Sequence, residues 1–425
     1  MATTEEWGSN HMASGQPPKL SDYKDLGRGP RSSYYRKLAA RSGIRAGGGS
    51  FERLKAFTSQ IQNWPAWAWH VIKYAGASRF PVPRYPAGPL EGVFSMGDAA
   101  KLAIAGDWGT GTKEAQQVSD KMEQQKPDYT IHLGDVYYVG DTTEVIEHCL
   151  GKPATWRHGT KGSFALIGNH EMYGAGATGQ LGEAYFTDFL KSLGQHTSFF
   201  CLRNAKWDIV GLDTGYYSTG LSSGLSFLSK IPGLGFLRKS AWFKPSCRLP
   251  QELLDWLPGV FAESEPKRGL ILLSHHQCYS GFEDWYPTPT QQLLPLLGTR
   301  PVLWFWGHEH RMALYDQFTV PGGIPTFGRC IGHGGMPVEC GKKPANAGVG
   351  DCKCILYDDR VYDQSINAGY NGYVTLTFNG PLLVVDYFDL NDKLLVAEEW
   401  SVGNAGALLG PTLAYVDPDP NLRRP

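Results

Sequence analysis

The chain has 425 residues, 42% of them hydrophobic and 19% charged, with a formal net charge of −1. That balance suits one large or two ordinary globular domains and removes the whole-chain field that would argue for nucleic acid or acidic partners. The first twenty residues hold no continuous apolar run of the signal type, and no segment reaches the roughly 18 apolar residues of a membrane span, so a soluble, cytoplasmic protein is expected, with export by a non-classical route left open.

Residues 1–95 read as an N-terminal extension. Lys19 to Lys55 is basic and is interrupted by three glycines at 47–49; the aromatic run WPAWAWHVIKY follows at 64–74, then a proline-rich stretch to Pro89. One reading is a partly helical arm that packs its aromatic face on the main domain. The other is peripheral contact with an anionic membrane or a partner. Gly8 to Ser14 (GSNHMAS) has the composition of a cloning scar and carries no weight.

From Leu102 short apolar runs alternate with helical patterns, the signature of an α/β domain, here placed at 96–402. The predicted strands are 102–106 (LAIAG), 129–133 (YTIHL), 164–168 (FALIG), 207–212 (WDIVGL), 270–274 (LILLS) and 302–306 (VLWFW). Helices are predicted at Lys113 to Lys126 and Pro250 to Phe261. Residues 373–389 read as a hairpin turning at Asn379-Gly380, and 403–425 as a tail. Between the fourth and fifth strands lies an apolar insertion near 216–248. It is a lid or substrate wall offering Tyr216, Tyr217, Trp242 and Phe243, a membrane-facing loop, or packed surface. Eight cysteines without an export signal are expected to be reduced; Cys330, Cys340, Cys352 and Cys354 lie close in sequence, but in no standard zinc spacing.

Five of the predicted strands end in polar residues. They run into Asp107-Trp108-Gly109, Gly134-Asp135, Asn169-His170-Glu171, His275-His276 and Gly307-His308-Glu309-His310, with Tyr138 shortly after Asp135. In α/β sheets functional groups gather beyond the carboxyl ends of the strands. Two aspartates, an asparagine, several histidines and a tyrosine are too many donors for one ion. They suit two ions sharing a carboxylate, as in centres that clamp both oxygens of an in-line displacement. Singly, each motif is more often a turn or a loop; five in succession, each after a strand-like run, are not.

These motifs resemble the calcineurin-like metallophosphoesterases, whose pattern is D-x-[HG], GD, GNH[DE], a later His and GHxH. The resemblance covers roughly Lys101 to Trp400. It implies a four-layer sandwich in which two mixed β-sheets are flanked by helices, with a dimetal site at the strand ends. Within the family the chain is similar to the purple acid phosphatases of the small, animal type. Gly109 stands where most relatives carry a ligating histidine, and Tyr138 completes GDxxY. The resemblance implies that Asp107, Tyr138 and His310 bind a first metal, that Asp135 bridges, and that Asn169, His275 and His308 bind a second. Fe(III) is expected at the tyrosine site with Fe(II), Zn or Mn beside it, or Mn or Zn at both. His275 is favoured over His276 as the ligand because it directly follows Ser274; His276 then faces substrate or packs. His170 is expected to contact the phosphate and protonate the leaving group, oriented by Glu171, while Asp213 and His333 are expected to be structural. The implied activity is hydrolysis of phosphoric monoesters, on small molecules or proteins, by a metal-activated hydroxide. A phosphodiesterase or nucleotide hydrolase on the same scaffold is the alternative, and a catalytically silent scaffold protein is disfavoured by the complete ligand set.

Overall fold

The computed structural model describes residues 77–86, 91–137, 139–151, 155–219, 245–262, 267–344, 352–364 and 367–424. The aromatic run at 64–74 and most of the 216–248 insertion, including Trp242 and Phe243, lie outside them. In chain order the described strands are β1 (Val93–Ser95), β2 (Ala99–Ala105), β3 (Tyr129–His132), β4 (Gly162–Ala165), β5 (Phe200–Arg203), β6 (Trp207–Gly211), β7 (Gly269–Ser274), β8 (Val302–Trp306), β9 (Met312–Thr319) and β10 (Pro325–Ile331). They continue with β11 (Val338–Glu339), β12 (Cys354–Asp358), β13 (Val361–Asp363), β14 (Ala368–Gly369), β15 (Gly372–Asn379), β16 (Leu382–Asp389), β17 (Leu394–Val402), β18 (Leu408–Val416) and β19 (Leu422–Arg423). The helices are α1 (Lys113–Gln124), α2 (Thr142–His148), a π-helical stretch Tyr185–Leu190 that continues as α3 (Lys191–Leu193), α4 (Gln251–Ala262) and α5 (Thr288–Leu297).

Two large mixed sheets result. One has nine strands in the order β1-β5-β6-β7-β8-β10-β9-β12-β19; the other has seven in the order β18-β17-β16-β15-β2-β3-β4. β11, β14 and β13 form a small third sheet. The period-2 alternation of strand side chains explains the layering. In β2, Leu102 and Ile104 join a core shared with Ile271 and Leu273 of β7 and Leu303 and Phe305 of β8, the space between the two sheets. The intervening Ala103 and Ala105 face a second core, where Ala115, Val118 and Met122 of α1 pack. Leu270, Leu272, Val302 and Trp304 alternate outward in the same way and meet Leu253 and Leu257 of α4 and Leu293 of α5. The architecture is therefore the four-layer α/β sandwich expected from the motifs.

All six predicted strands and both predicted helices are present, with ends shifted by at most three residues and the 302–306 strand unshifted. α1 starts where its sequence says it should: Thr112 is the N-cap, its hydroxyl accepting from the Ala115 N–H at 3.2 Å.

Three expectations need correction. The hairpin turns at Gly380-Pro381, one residue later than expected, since Asn379 is still paired with Leu382. Gly380 takes φ +56°, which favours glycine at the first central position. Residues 403–425 are not a tail, because they supply β18 and β19, edge strands of both large sheets. The catalytic fold also begins before residue 96. β1 pairs with β5, Arg79 bridges Leu181, and Tyr85 stacks among Phe199 and Trp256.

Candidate metal centre

The polar residues at the strand ends come from both sheets. Asp107, Asp135 and Asn169 follow β2, β3 and β4 of the seven-stranded sheet; His275 and His308 follow β7 and β8 of the nine-stranded one. In the fold, the two sheets face each other and their carboxyl ends open on the same crevice.

The backbone there is strained. Asp107, Asp135 and His308 all have positive φ, at 56°, 73° and 63°. Such values are uncommon for residues with a Cβ and cluster at functional sites, where surrounding contacts must hold them. The contacts are visible: the Asp107 N–H donates to Gly134 O at 3.1 Å, and the His308 N–H donates to Asp107 Oδ2 at 2.7 Å. The turn before Asn169 needs glycine because a Cβ on Gly168 would fall 2.1 Å from Asp135 Oδ1.

Asp135 is fully enclosed and its two carboxylate oxygens face opposite ways. Oδ2 accepts from the Tyr137 hydroxyl at 2.9 Å. Oδ1 lies 3.2 Å from His275 Nε2 and accepts from the His170 N–H at 3.1 Å. On the Oδ2 side stand Asp107 and His310, with His310 Nε2 3.6 Å from Asp107 Oδ1. On the Oδ1 side His275 Nε2 also lies 3.2 Å from Asn169 Oδ1. His275 is oriented by its other nitrogen, which is 2.9 Å from Leu133 O and donates to it. Its Nε2 lone pair is thereby turned toward two oxygen acceptors, an arrangement satisfied by a proton or a cation between them. Donor atoms of Asp107, Asp135 and His275, and separately of His275, His276 and His308, lie within 4.8 Å of one another.

The charges agree with that geometry. Burial pushes His308 down to about 3 and His310 to about 4, and pushes His276 well below its usual range, so all three are neutral imidazoles with lone pairs available. Asp107 is pushed up to about 8, by burial first and then by Asp135 beside it. Burial alone would raise Asp135 as well, but His275 and His170 hold it well below the carboxylate range. Burial opposes His275, yet Asp135 and Asp107 lift it to about 9. Without a metal the centre thus holds protons where cations would neutralise the same oxygens. Two carboxylates, an amide oxygen and neutral imidazoles are the donor chemistry of a divalent or trivalent pair, and the residues fit such ions.

The other expected residues are placed as follows. His170 is on the open side of the cluster, with its side chain 19% exposed, Nε2 3.8 Å from Asp135 Oδ2 and its ring 4.2 Å from that of Tyr137. Glu171 accepts from the Gly168 N–H at 2.9 Å, so it braces the loop that carries Asn169 and His170; burial and Asp135 push it up to about 8. His276 is buried, with Nδ1 3.2 Å from Thr214 Oγ1 and its ring 4.6 Å from that of His308. Asp213 is buried and accepts from Ser198 Oγ at 2.5 Å and the Tyr216 N–H at 2.8 Å. His333 is buried too, and neither ring nitrogen finds a hydrogen-bond partner among the described residues. None of the eight cysteines is in a disulfide, and no cysteine cluster of metal-binding geometry occurs among the described residues. Tyr138 lies outside the described residues.

Sequence reasoning passed over Tyr137. Its hydroxyl is 2.6 Å from Asp107 Oδ1, 2.9 Å from Asp135 Oδ2 and 3.0 Å from His310 Nε2. Two adjacent tyrosines after the Gly-Asp were a signal, but family spacing singled out the second.

The chain belongs to the calcineurin-like phosphoesterases, whose family model matches residues 100–312, half of the chain. No curated protein gives a significant match. Similar solved structures include the purple acid phosphatase PPD1 from yellow lupin (Lupinus luteus) seeds, with 14% identity, a TM-score of 0.47, and coverage of 78% of this chain and 59% of the lupin chain. PhoD matches with 13% identity, a TM-score of 0.44, and coverage of 80% of this chain and 73% of its own. The chain thus spans less than two thirds of the lupin enzyme's length. Among the described residues no helix is long and apolar enough to cross a membrane.

Proposed function

We propose that the protein hydrolyses phosphoric monoesters at a two-metal centre, in the manner of an acid phosphatase. The observation that supports this most is the two-sided Asp135, whose oxygens face Asp107, Tyr137 and His310 on one side and His275 and Asn169 on the other. Asp107, Asp135 and His310 would hold the first metal, and Asp135, Asn169, His275 and His308 the second. When bound, such a pair activates water as nucleophile and neutralises charge on the phosphoryl oxygens.

The remaining work falls to side chains. His170, open to solvent beside the bridging carboxylate, contacts the phosphate and delivers a proton to the departing alkoxide. Glu171 fixes the loop that presents it. His276, aligned by Thr214, walls the second-metal side. Gly109 and the tyrosines after Asp135 support a hard, trivalent first ion, so Fe(III) with Fe(II), Zn or Mn is the proposed pair. The substrate is a phosphorylated small molecule or protein.

Metal analysis and paired assays on an aryl phosphate monoester and its diester test the reading. About two metals per chain with faster monoester turnover is the expected result. Faster diester turnover would move the assignment to a phosphodiesterase on the same centre. In Asp135→Asn both metal positions should weaken together; two fully occupied ions there would remove its bridging role.

A further inference from the structure

The first-metal side holds a phenol that the sequence motif does not assign. Gly109 is the reason it is there. A Cβ on Gly109 would meet Asp135 O and Val136 Cα at 2.9 Å each, so no side chain fits at that position. The two backbones instead form a bridge between Gly109 and Val136, and the Tyr137 N–H donates to Gly109 O at 2.8 Å. The missing side chain and the placement of Tyr137 are one feature: glycine lets the segment after β3 close onto the segment after β2, and that clamp aims the Tyr137 ring into the cluster.

Its oxygen then completes a set of four donors. Tyr137 Oη lies 2.6 Å from Asp107 Oδ1, 2.9 Å from Asp135 Oδ2 and 3.0 Å from His310 Nε2. The Asp107–His310 edge is 3.6 Å. Ligands on neighbouring corners of an octahedron with bonds of about 2.0–2.1 Å lie roughly 2.9 Å apart. Two of the four edges, 2.9 and 3.0 Å, match that spacing without any movement.

We propose that Tyr137 is the phenolate ligand of the first metal, in the role that the family spacing gives to Tyr138. This rests on the two-metal reading above. Tyr137, Asp107 and Asp135 would hold such an ion through the oxygens that now share the phenolic proton, and that proton would pass to water. Phenolate, carboxylates and one imidazole form a hard, anionic set, which favours a trivalent ion over a divalent one.

The test compares full-length wild type, Tyr137→Phe and Tyr138→Phe, each loaded with ferric iron and zinc. Iron and zinc content and the visible absorption spectrum are read on the same samples. The expected result is a phenolate-to-iron charge-transfer band in wild type and in Tyr138→Phe, and its complete loss in Tyr137→Phe samples that still contain iron. Loss of the band in Tyr138→Phe, or its persistence in Tyr137→Phe, overturns the assignment. So does iron-loaded wild type with no band. Wild type that binds fewer than two metals under any loading overturns the two-metal reading itself, a distinct failure visible in the metal content alone. If Tyr137→Phe does not fold, by circular dichroism, Tyr138→Phe decides: the band retained supports Tyr137, and the band lost overturns it.

Discussion

At the scale of single residues, the centre is built by exclusion as much as by attraction. Gly168 illustrates this, since any Cβ there would overlap the Asp135 carboxylate. Gly168→Ala is therefore expected to displace Asp135, lower the content of both metals, and cut turnover on the order of 100-fold, the cost of misplacing reacting groups by about an ångström. His170→Ala should behave differently, losing about 100-fold or more in kcat while keeping both metals, because His170 is open to substrate. Metal analysis beside kinetics separates the two, and metal loss in His170→Ala would make it a ligand. Asp213 gives a stability prediction. Burial pushes its carboxyl from 3.8 up to about 7, against the pull of Ser198 and two backbone N–H groups. The folded state then keeps a proton on Asp213 that the unfolded chain releases near pH 4. Between those values the folded state binds more protons, so this group's contribution to stability falls as pH rises, by on the order of 4 kcal/mol across the window. Asp213→Asn should flatten that decline, as read from denaturant midpoints at pH 4 and pH 7; an unchanged slope would show that Asp213 is ionised in the fold.

At the scale of elements, the two sheets are joined by more than apolar packing. Arg329 of β10 and Glu398 of β17 belong to different sheets and are fully buried. They meet through paired hydrogen bonds of 2.8 and 2.7 Å, and Tyr387 of β16 donates to the same carboxylate at 2.8 Å. Glu398→Ala leaves a buried guanidinium without its anion and is expected to cost about 3–5 kcal/mol, measured by urea unfolding. A loss below 1 kcal/mol would show that water reaches the pair. The elements themselves were legible wherever their pattern was local. The apolar runs at 270–274 and 302–306 are bounded sharply by turn residues, and both are strands. The hairpin was found, but its turn slipped by one residue: Asn-Gly is a strong turn signal, yet Asn379 stays in the ladder opposite Leu382 and the positive φ falls on Gly380 at the first central position. β18 was missed because its glycine and proline read as loop. As an edge strand it tolerates Pro411, since only one side pairs.

At the scale of the whole molecule, residues 403–424 hold the margins of both sheets: β18 borders the seven-stranded sheet and β19 the nine-stranded one. A chain ending at residue 402 would expose the β17 and β12 edges, with apolar residues along both. It is expected to aggregate or lose several degrees of thermal stability; an equally stable, monomeric product would return the segment to the role of a tail.

The sequence by itself determined the chemistry. Aspartates, Asn169 and histidines set behind strand-like runs define a two-metal donor set, because ligand identity and strand-end position are local properties written in consecutive residues. The tertiary structure decided which donor atoms face one another. That His275 and His308 reach Asp135 from an opposing sheet is a long-range fact that no local pattern encodes. That Tyr137 faces the cluster depends on the backbone contact between Gly109 and Val136, residues 27 positions apart. Side-chain direction at a tight turn changes completely with one residue of register, and only the packing of the two segments fixes that register.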